Sequence, residues 1–261
     1  MKWVEDAWKQ KQIYIMMVFS LLFLIIISLP SNPSFKTSPL DILFHFLSAT
    51  IPAVAIDLAM MKKRKQVSFP YSAIITGLIA GSLLPVANHL SVFAAGLFAG
   101  LSKRIIKINN RHMFNPAAFG IGLAIPLFVQ TDAWWAVPYS NFLPAFILLM
   151  ALGIVVSNKI RKLYLSFSFL LAYLILSFFI FKGDAAALIS GLPFYMAFFM
   201  LTEPKTSAAL PRDQLISGAF TGLACIGLSF IAPTGFLIYG LLLNNIFVFL
   251  MPKIRASLAK K

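Results

Sequence analysis

From residue 13 to residue 251 the chain is a succession of apolar runs broken only by short polar stretches. The runs cover 13–29, 40–61, 71–86, 90–101, 114–129, 142–156, 163–181, 185–201, 215–232 and 235–251. Such runs leave no hydrated face on the elements they form, so the solvent they fold in is lipid. Composition agrees: 60% of the residues are apolar and 11% charged, against about 25% charged in a soluble domain. Within hydrocarbon every backbone polar group must be satisfied internally, and a helix does this inside one segment. The expected fold class is therefore an all-α polytopic membrane protein with about ten transmembrane segments. At about 20 residues per span, the 261 residues are taken up by a single integral membrane domain. It comprises a cytoplasmic segment 1–12, ten membrane segments over 13–251 and a basic tail 252–261. The run 13–29 is longer than a signal-peptide core and lacks a small-residue cleavage site, so it reads as the first span.

The formal charge of +14 is of a size that suits nucleic acid, but its distribution excludes that partner. The basic residues stand in short clusters between apolar runs, the pattern of cytoplasmic loops in a polytopic protein. With the N-terminus inside and ten crossings, only Lys36 and Lys182 of the 22 Lys and Arg fall outside. Both termini are thus expected in the cytoplasm, in the plasma membrane of a cell. The outer stretch 130–141 carries Trp134, Trp135 and Tyr139, as an interfacial aromatic belt would. A single cysteine, Cys225, excludes a disulfide and any Cys-based metal centre within this chain.

Several runs are too short or too interrupted for a full crossing. Pro85, Asn88 and His89 separate 71–86 from 90–101, and the run 114–129 opens with Asn115 and Pro116. Broken helices at membrane depth must face protein or a wet cavity, and paired breaks point to a site near the midplane. The small-residue segments 76–81 and 95–100 flank one break. In the second half, 198–201 and 217–222 flank the break at Thr202, Glu203 and Pro204. This suggests two five-span halves, which, being odd-numbered, are inverted relative to each other.

No GxSxG, P-loop or strand-bound GxGxxG motif occurs, so an enzymatic role is at most that of a membrane subunit of an oxidoreductase. Asn115 is a good N-cap and Pro116 a good first helical residue; a helix starting there presents amides and a positive dipole end to an anion or a flavin carbonyl. Glu203 follows an apolar run and stands among Thr202, Thr206 and Ser207. It is a candidate cation ligand or cofactor partner, or else a loop carboxylate paired with Lys205 or Arg212. Asp57 stands one turn before a basic cluster, and Asp41 and His45 stand four apart on one helix face. These three are the candidate ion pathway, each with a plain ion pair or hydrogen bond as the alternative. His89 and His112 stand at breaks and need no special role.

Three stretches, YSAIITGLIAGSLLP (71–85), HMFNPAAFG (112–120) and FMLTEPKTS (199–207), occur in an order that resembles the NqrB/RnfD family. These are the ten-span membrane subunits of the sodium-pumping NADH:quinone oxidoreductase and of the Rnf complex. The last stretch is similar to the family's Phe-Met-x-Thr-Asp-Pro motif, with Glu203 in place of Asp. The resemblance implies flavin-mediated electron transfer coupled to Na+ or H+ movement, beside sister membrane subunits and a soluble flavin or iron–sulfur donor docking on basic patches such as 62–65 and 103–111. The family's covalent FMN sits on a Ser-Gly-Ala-Thr motif after the fifth span, which 130–141 lacks. A non-covalent flavin is the cofactor left, with Asn115, Pro116, Thr76, Thr202, Glu203 and Thr206 as its candidate contacts. The family's fold is similar to that of five-plus-five inverted channels and transporters such as those for urea and ammonium, so a small-solute channel is the second reading and a scaffold subunit the third.

Overall fold

The computed structural model of the protein describes residues 2–31, 38–63, 69–108, 111–136, 143–182 and 192–258, and it is mostly helical. In chain order the elements are α1 (Lys2–Ser31), α2 (Pro39–Lys63), α3 (Tyr71–Leu83), α4 (His89–Ile105), β1 (Lys107–Ile108), β2 (Arg111–His112), α5 (Pro116–Leu127), α6 (Leu143–Lys159) and α7 (Leu163–Phe181). A π-helical turn (Met196–Met200), α8 (Pro211–Ser229) and α9 (Phe236–Leu258) follow. Residues 183–191, which include the first part of the eighth apolar run, lie outside the described residues, as do Lys36, Arg64, Lys65 and Tyr139.

Four helices are long and apolar enough to cross a bilayer, over Lys11–Ser28, Pro39–Lys62, Leu163–Ile180 and Phe236–Ile254. Others are not. At a rise of about 1.5 Å per residue, α3 and α5 are roughly 20 Å long, short of a hydrocarbon core about 30 Å thick. The run 90–101 becomes a longer helix, because Ser102, Lys103 and Arg104 form the last turns of α4 instead of a loop. Lys103 Nζ reaches across to donate to Ser72 O and Oγ of α3 at 2.9 and 3.1 Å.

Two stacks build the core. α4 packs on α2 and α5, and α8 packs on α7 and α9; α1 lies against α3, and α6 against the π turn. Glycines set the closeness of both stacks. A Cβ on Gly96 would lie 2.1 Å from Ala49 O of α2, and one on Gly218 would lie 2.6 Å from Leu165 O of α7. Backbone-to-backbone approach of this kind is how helices associate where apolar burial offers no driving force against lipid. Gly235, at φ +76°, opens α9 in the left-handed region where glycine carries no Cβ penalty. Its amide donates to Asp132 Oδ1 at 3.0 Å, tying the loop after α5 to the start of α9.

Candidate functional site

Helix breaks create the polar geometry of this protein. α3 stops at Leu83, and the carbonyls of its last turn would be unsatisfied in an apolar surround. His45 Nε2, from α2, bonds Gly81 O at 2.9 Å. Trp135 Nε1 donates to Gly81 O and to Leu84 O, both at 2.8 Å. The backbone amides of Ala133 and Ala136 donate to Leu83 O and Ser82 O at 2.7 and 3.3 Å. Trp135 is therefore not part of an interfacial belt: it is 6% exposed and plugs the end of α3. His45 and Asp41 find separate partners despite their spacing, since exposed Asp41 exchanges hydrogen bonds with Ser38 at the start of α2.

The second break follows the π turn. Leu201 N donates to Met196 O, five residues back, and this insertion frees carbonyls that neighbours satisfy. Ser166 of α7 donates to Ala197 O at 2.7 Å, and Asn115 Nδ2 donates to Met200 O at 2.9 Å. Thr202 is fully buried and turns its hydroxyl back to Phe198 O at 2.6 Å, so it serves the turn instead of facing a ligand.

Asn115 does three things at once. Its Oδ1 accepts from Ala118 N at 3.1 Å as the N-cap of α5, its amide NH₂ holds Met200 O, and its backbone N–H donates to Asn245 Oδ1 of α9 at 2.7 Å. With Pro116 lacking an N–H and the Ala118 amide engaged, little of the helix start is left for an anion.

Glu203 lies beside this junction. Its Oε1 is 2.8 Å from His112 Nε2 and its Oε2 accepts from Thr206 Oγ1 at 3.3 Å. The partner is thus neither Lys205 nor Arg212 but a histidine on β2, with the two side chains 7% and 18% exposed. Asp57 pairs with Arg104 of α4. Lys103 and Arg104 are therefore engaged inside the protein and are not part of an outward basic patch.

Thr76, Asn115, Pro116 and Glu203 line one cleft with Tyr14, Ser72, Phe199 and Pro204. Thr76 bonds its own helix, at Ser72 O, 2.7 Å away, and Thr206 supports Glu203 from behind. The cleft measures about 40 Å³. A water needs roughly 10–15 Å³ on this measure, whereas pockets for drug-sized ligands run to about 300–1,000 Å³. The cleft accommodates a few waters or an ion and does not fit an isoalloxazine ring; a carboxylate on its wall also opposes a phosphate. The geometry suits proton exchange or cation contact at the Glu203–His112 pair. His112, Arg104 and Asn245 are the residues that sequence reasoning passed over. Asn245 was findable as a polar residue in the middle of an apolar run.

No protein-family model matches the chain, and none of the curated proteins matches it.

Proposed function

We propose that this protein is a membrane subunit of an electron-transport complex, similar in role to NqrB and RnfD, in which electron transfer among partner subunits is coupled to passage of Na+ or H+. One observation carries the reading: three stretches, far apart in sequence, meet at one cleft. Ser72 and Thr76 come from the first, Asn115 and Pro116 from the second, and Phe199, Glu203 and Pro204 from the third. The matched packing of the two stacks is in keeping with two inverted halves of five membrane segments, and the clustering of basic residues between apolar runs supports both termini in the cytoplasm of a plasma membrane. In this reading Glu203 and His112 form the cytoplasmic station of the ion path, whereas Asp57 is held by Arg104 and His45 by the closed end of α3.

In this reading any non-covalent flavin belongs to partner subunits or to an opened form of the cleft. The second reading, a small-solute channel, is favoured by one feature, a cleft sized for water or an ion. Tagged protein purified in mild detergent from its own membranes separates the two. Co-purified flavin- or iron–sulfur-bearing subunits, bleached by dithionite, are the expected result. Flavin released by acid from the isolated chain would assign a cofactor to the opened cleft. A colourless single chain that passes solute into liposomes would overturn the reading.

A further inference from the structure

Away from the cleft, a groove of about 870 Å³ runs along the outer side of the α7 and α8 pair. Its walls are apolar and outward-facing: Tyr164, Phe167, Leu171 and Leu215 are 58%, 48%, 59% and 48% exposed. It begins at the turn between α6 and α7 and follows α7 into the stretch long enough to cross a bilayer. The groove is thus apolar along its length and polar at one end.

That end is built. Gln214, 1% exposed, lines the groove. Its NH₂ donates to Arg161 O at 2.9 Å and Ala209 O at 3.1 Å, which fixes the amide and leaves Oε1 as a buried acceptor with no protein donor. Such an acceptor is costly unless something donates to it. Arg161 lies beside it on a left-handed backbone (φ +58°) and forms no ion pair among the described residues. Lys159 and Arg212, each next in sequence to a lining residue (Asn158 and Pro211), are also exposed, and Asp213 is the acid that follows Arg212. Lys162 turns inward to Ala208 O.

We infer that this groove holds an anionic phospholipid with a hydroxylated headgroup, its phosphate at Arg161, a headgroup hydroxyl donating to Gln214 Oε1, and an acyl chain along Tyr164, Phe167 and Leu171. Charge selects the headgroup. Three exposed cations attract a phosphate and repel the ammonium of a zwitterionic lipid. The order of the groove, cationic at the interface and apolar below, matches the order of groups in a phospholipid. This inference needs α7 to span the membrane and is independent of the electron-transport reading.

The test is native mass spectrometry of delipidated protein titrated with phosphatidylglycerol or phosphatidylcholine of identical chains. Wild type should retain phosphatidylglycerol preferentially. Arg161→Gln should lower its affinity about fivefold, the loss of one interfacial cation, and Gln214→Leu should reduce the preference while leaving the protein folded. Lys253→Gln, a basic residue on α9 beside Phe249, should change neither. Equal retention of the two lipids, an unaffected Arg161→Gln variant, or a co-purified protein that blocks lipid exchange would each overturn the assignment. If Gln214→Leu unfolds the protein, Arg161→Gln decides alone, because its side chain is exposed.

Discussion

The closeness of α2 to α4 sets where Asp57 meets Arg104, and through α5 where Asn115 meets Met200. Gly96→Ala tests that closeness. The added Cβ would lie 2.1 Å from Ala49 O and 3.0 Å from Pro52 Cγ, with ordinary contact beginning at 3.4 Å. A backbone carbonyl and a proline ring cannot rotate away, so the two helices must part by about 1 Å. Over-packing costs about 1–3 kcal/mol, and the upper end applies where backbone is the obstacle. Alanine's advantage over glycine in a helix returns about 1 kcal/mol, leaving a net loss of about 2 kcal/mol. Gly227→Ala on α8 is the internal control: nothing lies within 4 Å of its Cβ, so only the helix gain of about 0.5–1 kcal/mol remains. The single cysteine, Cys225, is fully buried, so a thiol-reactive fluorophore reports unfolding directly. On heating in detergent, Gly96→Ala should label several degrees below wild type and Gly227→Ala at or above it. If Gly96→Ala labels no earlier than Gly227→Ala, the two helices are not in backbone contact and the packing argument fails.

The same assay checks three further expectations. Asn115→Ala removes an N-cap and leaves Met200 O and Asn245 Oδ1 poorly served, a loss of about 1–2 kcal/mol; Asn115→Asp keeps the cap and should recover part of it. Arg104→Met strands a buried Asp57 and should cost about 3 kcal/mol, whereas the double variant Asp57→Leu with Arg104→Met should be more stable than the single one. Glu203→Ala should cost about 1.5–3 kcal/mol by leaving His112 Nε2 without its charged acceptor, and Glu203→Gln distinctly less. Burial and the neighbouring Arg111 push the Lys162 ammonium down to about 8. A folded-state value below the unfolded one disfavours the charged form on folding, so stability should rise between pH 8 and pH 10.5. Intrinsic fluorescence melts should show this rise, and Lys162→Met should flatten it.

Much of the helical layout was legible because lipid solvation leaves a strong mark: an apolar run between basic clusters is hard to read as anything else. The start of α5 was equally plain, since Asn115 and Pro116 are local signals that act within one turn. The convergence of Thr76, Asn115, Pro116 and Glu203 was legible only through motif order. No periodicity in the chain links residues 76 and 203. The partners were not legible. Charge alone offers Glu203 a choice of neighbours, and the nearby Lys205 and Arg212 are the obvious ones; a two-residue hairpin pairing, Lys107 with His112 and Ile108 with Arg111, decides for His112 instead. Trp135 misled for a related reason. An aromatic residue in an outer loop reads as a belt anchor, but the short α3 leaves carbonyls that need an indole donor.

The two breaks differ in a way that bears on function. At the end of α3, carbonyls meet donors from His45, Trp135 and the loop backbone, and the arrangement is closed. At the π turn the carbonyls are likewise closed by Ser166 and Asn115, but the chain then places a carboxylate beside the cleft, 18% exposed and held by one imidazole and one hydroxyl. Structure alone would be served there by a residue as inert as those at the first break. A carboxylate fixed by His112 of β2, beside an asparagine pair reaching α9, fits the proposed ion passage better than packing alone. On the proposed reading, ion passage belongs to this second break and not to the closed one at the end of α3.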